Sequence, residues 1–249
     1  MTESSDFRFS LIIPAHNEQA FLPGLLNTVD AARINYIGGS DAIEVIVADN
    51  ASTDRTAEIA SARGCLVVNE EIRIIAAVRN TGAAAARGEI LTFVDSDTRI
   101  HPDTFNVIDQ AMSNERIIAG STGVSMERIS PGIFITYIFM VPMVWATRMD
   151  TGVVFCRKSD FMTIGGYNEQ KLFAEDVDFL WRLRRLGRSR RQKLTRATSA
   201  KAIASMRKFD HHGDWHYFSL VAKVLYGICF SSGRTEEFAK KYWYDDLKR

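Results

Sequence analysis

Cysteine is scarce in this chain. Cys65, Cys156 and Cys229 are odd in number and far apart, which excludes a disulfide framework and a cysteine-based metal site and suggests a reducing compartment. Long apolar runs are missing too, and no stretch reaches the length of a membrane-spanning helix. Met1 to Phe9 is polar and has no hydrophobic core for export, so the expected setting is cytoplasmic, with contact at the inner face of the membrane left open. Neither sign of charge is in excess: 31 lysines and arginines against 30 carboxylates give a formal net charge of +1, which speaks against nucleic acid as a partner. There is no internal repeat and no low-complexity segment. Both common phosphate cradles, G-x-G-x-x-G and G-x-x-x-x-G-K-[ST], are absent. A bound phosphate would therefore have to be held by carboxylates and a metal.

The chain's 249 residues, 46% hydrophobic and 24% charged, suit one large globular domain or two small ones. Its organising stretch is Ile90 to Asp97, Ile-Leu-Thr-Phe-Val-Asp-Ser-Asp. The continuous apolar run predicts a strand buried on both faces, and open α/β sheets place ligands at such strand ends. In extended backbone Asp95 and Asp97 would point the same way. Two close carboxylates repel unless a cation sits between them, and hard oxygen donors suit Mg²⁺ or Mn²⁺, ions that commonly hold phosphates. The alternative is a plain strand end with a capping aspartate.

Two other runs end in the same manner. Phe9 to Ile13 leads into Pro14-Ala15-His16-Asn17-Glu18, followed by a helical pattern with Leu22, Leu25, Leu26 and Val29 on one face. Ile43 to Ala48 leads into Asp49 to Asp54 and a further helix, with Ser52 or Thr53 as the expected N-cap. Cys65 to Val68 predicts another strand, and Asn80 to Ala86 an alanine-rich helix. Strands alternating with helices imply a parallel sheet with right-handed crossovers, so three polar loops converge on one sheet edge.

With Arg79-Asn-Thr-Gly82, Gly165-Gly166 and Glu175-Asp176 added to these loops, the chain resembles an inverting family 2 glycosyltransferase of the GT-A fold over about Phe9 to Gly187. The resemblance implies a Rossmann-like, mostly parallel sheet flanked by helices. It has a nucleotide-sugar-binding half to about Met126 and an acceptor half over residues 127–249, within one continuous domain. It implies that Pro14, Ala15 and Glu18 hold the nucleoside, that Asp49 reads the base, and that Arg79 lies near the diphosphate. Asp97 would ligate Mg²⁺ or Mn²⁺, with Asp95 on the ribose or behind the metal and Ser96 between them. Gly165 and Gly166 would close over the donor sugar. Asp176, beside Glu175, would be the general base on the acceptor side, away from the diphosphate.

The later sequence adds detail. Arg207 resembles the basic residue that neutralises the departing diphosphate in non-processive members, and His211 or His212 could supply another metal ligand. Processive members carry Gln-x-x-Arg-Trp after the base, and its absence here implies a non-processive enzyme. Ile133 to Ala146 is an apolar run interrupted by Pro142, expected either as a buried segment under the acceptor or as a lipid-facing patch. The helix expected after Asp176 buries Phe179, Leu180, Leu183 and Leu186 and carries arginines that would suit anionic lipid headgroups. Tyr217 to Phe230 predicts an amphipathic helix.

The expected reaction is transfer of a sugar from a UDP- or GDP-linked donor to a hydroxyl acceptor, a glycan or lipid-linked. Two rivals stand beside it. One is a haloacid-dehalogenase-like phosphatase, which also places Asp-x-Asp after a strand but wants threonine or valine where this chain has Arg99. The other is a non-catalytic glycan-binding or membrane-surface protein on the same fold. Nothing in the sequence gives the oligomeric state.

Overall fold

The computed structural model describes residues 7–128, 130–132, 134, 135, 138, 151–171, 175–207, 210 and 213–215. A seven-stranded sheet forms its centre. In chain order the strands are β1 (Phe9–Ala15), β2 (Ile43–Asp49), β3 (Leu66–Asn69), β4 (Ile90–Phe93), β5 (Ile117–Ser121), β7 (Val154–Arg157) and β8 (Lys193–Arg196). They lie in the order β3-β2-β1-β4-β7-β5-β8. All pair in parallel except β7, which runs antiparallel to both β4 and β5. Strands from both sides of Met126 thus share one ladder. A parallel pair of short strands, β6 (Val124–Met126) and β9 (Ala202–Ala204), lies beside it, and β9 also bridges Arg99 through Ile203.

Because the strand side-chain period is two, the continuous apolar runs divide between two faces. Phe9, Leu11 and Ile13 of β1 join one cluster with α1 (Leu22–Asn35) and α4 (Thr104–Met112), through Leu22, Leu25, Val29, Phe105 and Ile108. Ile12 joins the other, with α3 (Ile75–Ala85), α5 (Lys158–Ile164) and α6 (Glu175–Ser189), through Ala76, Ala83, Phe161, Phe179 and Leu183. Helices on both faces explain why these strands show no polar alternation. The small residues of α3 let it lie close on the sheet: a Cβ on Gly82 would come 2.5 Å from Ile12 Cγ2. That closeness carries Arg79, one turn earlier, under the sheet edge.

Several expectations shift. The central strand stops at Phe93, and Asp95 begins a turn closed by a hydrogen bond from Thr98 N–H to its carbonyl. The helix expected from Asn80 starts at Ile75. Helix α2 (Thr56–Ala62) is not capped by Ser52 or Thr53; Asp54 Oδ1 accepts from Thr56 N–H at 2.9 Å. In the apolar run, Phe134 and Ile138 are half exposed, so these two positions are not core. Phe139, Pro142, Trp145 and the predicted Tyr217–Phe230 helix lie outside the described residues.

Candidate active site

The site is built at the carboxyl ends of β1, β2 and β4. β1 and β2 run in register to Ala15 opposite Asp49, which brings the first two loops side by side. Pairing of β1 with β4 ends at Ile12–Phe93, so Pro14 falls beyond the paired stretch on that side, where its missing N–H costs no ladder bond. The two loops are then laced together. Asn17 N–H donates to Ser52 Oγ, Thr53 N–H to Asn17 Oδ1, Glu18 N–H to Thr56 Oγ1 and Gln19 N–H to Asp54 Oδ2, at 2.8–3.1 Å. His16 Nδ1 donates to the Asn50 carbonyl at 2.6 Å. Asn17 and Ala51 adopt left-handed backbone, at φ 53° and 50°. That conformation is uncommon outside glycine and most costly at Ala51, whose side chain offers no compensating hydrogen bond. Sequence reasoning gave this stretch Pro14, Ala15, Glu18 and Asp49 as nucleoside contacts and Ser52 or Thr53 as a helix cap; Asn17, Ser52, Thr53 and Asp54 instead lace the two loops together.

Asp49 is 7% exposed. Its Oδ2 accepts from Ser52 N–H at 3.2 Å, while Oδ1 is buried with no hydrogen-bond partner among the described residues. A buried carboxylate oxygen without a donor costs stability.

Around Asp95 and Asp97 the arrangement differs from the expected pair of parallel carboxylates. The turn sends them to different cations. Asp95 Oδ1 accepts from Arg79 Nη2 at 2.8 Å, and Asp97 Oδ2 lies 3.4 Å from Arg207 Nη2. Ser96, between them, is buried. Arg207 Nη1 also reaches both oxygens of Glu18 at 3.1 Å, and its guanidinium lies 4.8 Å from the Phe21 ring centroid. β9 brings Arg207 here, so the end of the described chain closes over its beginning. Burial pushes the Glu18 carboxyl up to about 7 against the pull of Arg207, with Asp97 and Asp95 adding to the rise.

Arg79 is the hub of the other side. It is 3% exposed, and its Nη1 donates to Glu175 Oε1 at 2.9 Å and Asp176 Oδ1 at 2.8 Å. With the bond to Asp95, one guanidinium holds three carboxylates. Burial acts to lower its basicity, but the carboxylates, Asp176 foremost, hold it well above the ordinary arginine value. Arg79 thus joins Asp176 and Glu175 to Asp95. Burial raises Asp176 to about 6, opposed by Arg79 and reinforced by Glu175 and Asp95. The Tyr167 hydroxyl donates to Asp176 Oδ1 at 3.2 Å, and the Tyr167 ring lies 5.2 Å from the Arg79 guanidinium.

Gly165 and Gly166, at φ 74° and 70°, end α5 and turn the chain so that Tyr167 reaches this position. A Cβ on Gly166 would come 2.6 Å from Asn80 Oδ1, and that same oxygen accepts from Tyr167 N–H at 2.8 Å. The glycine pair therefore serves the Arg79 hub directly. Asn80 and Tyr167 escaped sequence reasoning, although both sit inside or next to motifs already singled out. His211 and His212 lie outside the described residues, among which no group of three or more histidine, cysteine, aspartate or glutamate residues could hold a metal ion.

Residues 10–130, which supply Glu18, Asp49, Arg79, Asp95 and Asp97, match the model of glycosyl transferase family 2. This stretch belongs to that family. Over 189 residues the chain is 26% identical to an uncharacterized glycosyltransferase of Haemophilus influenzae, covering 70% of this chain and 61% of that protein. Over 106 residues it is 34% identical to the undecaprenyl-phosphate 4-deoxy-4-formamido-L-arabinose transferase of Pseudomonas paraeruginosa, covering 38% of this chain and 29% of that protein. It spans less than two thirds of the length of either relative. The fold is shared with the mannosyltransferase PcManGT from Pyrobaculum calidifontis, solved with GDP-Man and Mn²⁺: the TM-score is 0.65 at 20% identity, covering 80% of this chain and 57% of that one. The sheet and helices are those of GT-A glycosyltransferases, as the sequence implied. Family membership of the Asp-x-Asp stretch also sets aside the phosphatase rival.

Proposed function

We propose that this protein transfers a sugar, with inversion, from a nucleoside-diphosphate donor to a hydroxyl acceptor, glycan or lipid-linked, in single additions. The observation that carries the reading is the meeting, at one sheet edge, of an Asp49 oxygen with no donor among the described residues, the Asp95–Asp97 turn and the part-buried carboxylate Asp176. Asp49 Oδ1 accepts an N–H from the base, and the laced loops around Pro14 and Ala15 frame the nucleoside.

The residues fit a divalent cation. Asp95 and Asp97 offer hard oxygen donors, and Mg²⁺ or Mn²⁺ needs only one or two carboxylates when substrate phosphates complete its shell. When bound, such an ion neutralises charge on the diphosphate as it departs. Arg207, beside Asp97, adds a second positive group at the place where that charge builds. Asp176 takes the proton of the attacking hydroxyl, and Arg79 and Tyr167 fix its orientation. Attack from the face opposite the leaving group inverts the sugar carbon.

Thermal unfolding with UDP or GDP, with and without Mn²⁺, tests this. Ligand that binds the native state raises its stability by mass action. The wild type should show a nucleotide shift that grows with Mn²⁺, and Asp97→Ala should lose the Mn²⁺-dependent part. An Asp97→Ala protein with undiminished nucleotide affinity and the same Mn²⁺ response refutes the metal assignment. Release of sugar from a donor without added acceptor would separate an enzyme from a non-catalytic protein on this fold.

A further inference from the structure

Helix α6 has an outward stripe that the transfer reaction does not use. Its inward side buries Phe179, Leu180, Leu183 and Gly187. On the other side, at helical spacing, stand Val177, Trp181, Arg184, Arg185 and Arg188. Val177 is 41% exposed and Trp181 50% exposed. The Arg184 guanidinium lies 5.9 Å from the Trp181 ring centroid. Arg185 and Arg188 are exposed and have no side-chain partner among the described residues.

The charge of this region is one-sided although the chain as a whole is nearly neutral. Between Val177 and Lys193 there are seven lysines and arginines and one carboxylate, Asp178. Asp178 is itself paired with Arg182 at 2.8 Å. The remaining acidic residues of the helix, Glu175 and Asp176, turn inward to Arg79. The outward stripe is therefore cationic, with a tryptophan and a valine at its N-terminal end.

We propose that this stripe docks on the surface of an anionic lipid bilayer. Tryptophan settles at the level of the headgroups, arginine pairs with anionic headgroups, and its methylene stem tolerates the apolar boundary. A nucleic acid would use the arginines but gives no role to an exposed valine beside the tryptophan. Docking would place the start of α6, and so Asp176, at the bilayer surface, where a lipid-borne acceptor is presented. That last consequence rests on the proposed transfer; the docking does not, and it is measured without turnover.

The test is co-sedimentation of the full chain with vesicles of phosphatidylcholine alone or with one third phosphatidylglycerol. The wild type should bind the anionic vesicles, bind the neutral ones weakly, and be released by salt. R185Q/R188Q should weaken binding roughly five-fold per arginine removed. W181S should weaken it as well. Each variant is first shown to keep the wild-type melting temperature and nucleotide response, which separates loss of docking from loss of fold or of the donor site. Equal binding to neutral vesicles, wild-type binding by R185Q/R188Q, or retention on single-stranded RNA with the vesicles ignored would each overturn the proposal.

Discussion

Asp176 shows how much a single residue depends on its surroundings. A surface aspartate is ionised far below neutrality and is a weak base. Here burial lifts it to about 6 while Arg79 keeps it from rising further. The carboxylate is the form that accepts a proton, so transfer should rise as pH climbs through about 6 and then level off, and fall about tenfold per unit below it. Removing the base function tests the role more directly. Asp176→Asn keeps the shape and should lower turnover about 10²- to 10⁴-fold while leaving donor affinity nearly unchanged. Steady-state kinetics would decide: an Asp176→Asn enzyme that keeps most of its rate, beside an inactive Glu175→Gln, moves the base to Glu175. The sequence singled out these carboxylates, because they sit in short motifs. It did not show that Arg79 joins them, since Arg79, Asp95 and Asp176 lie on three different elements and meet only in the fold.

At the scale of elements, the site depends on how closely α3 approaches the sheet. Gly82 allows that approach, and Arg79 and Asn80 ride on the same helix. Gly82→Ala would press a methyl into Ile12. Such overpacking costs about 1–3 kcal/mol, and a chemical denaturation midpoint lowered without change of slope would report it. Because α3 also carries the hub, donor affinity should fall together with stability; unchanged values of both would show that the helix accommodates the methyl without moving. Periodicity exposed the strands and the apolar faces of α1 and α6; of the positions the pattern named all are buried but Leu186, which is partly buried, and Ala32 and Gly187 are buried as well. It placed the ends of elements less well. The strand at Ile90 stops early because Asp95 starts a turn, and α2 starts late because Asp54 competes for its first N–H. Both are local hydrogen-bond contests that an apolar pattern does not register.

Across the whole molecule, the two sequence halves are one sheet. β7, from beyond Met126, lies between β4 and β5 and pairs with both. Arg128 ties the described end of the chain to the middle through Asp210 and Asp214, at 2.7 and 2.8 Å. Neither half can keep its core while the other unfolds. Urea unfolding followed by far-ultraviolet circular dichroism and by tryptophan fluorescence should therefore give one transition with coincident midpoints. Two separated transitions would show halves that stand alone.

The position of β7 also has a consequence for biosynthesis. While the ribosome is still making residues 94–153, β4 has its partner β1 on one side and nothing on the other. Its Ile90–Phe93 segment, fully buried in the finished protein, is then the open border of a growing parallel sheet. Unpaired apolar borders of this kind recruit other chains. The nascent protein is thus most prone to aggregate during that interval, and the danger ends when Val154–Arg157 emerges and takes the vacant place.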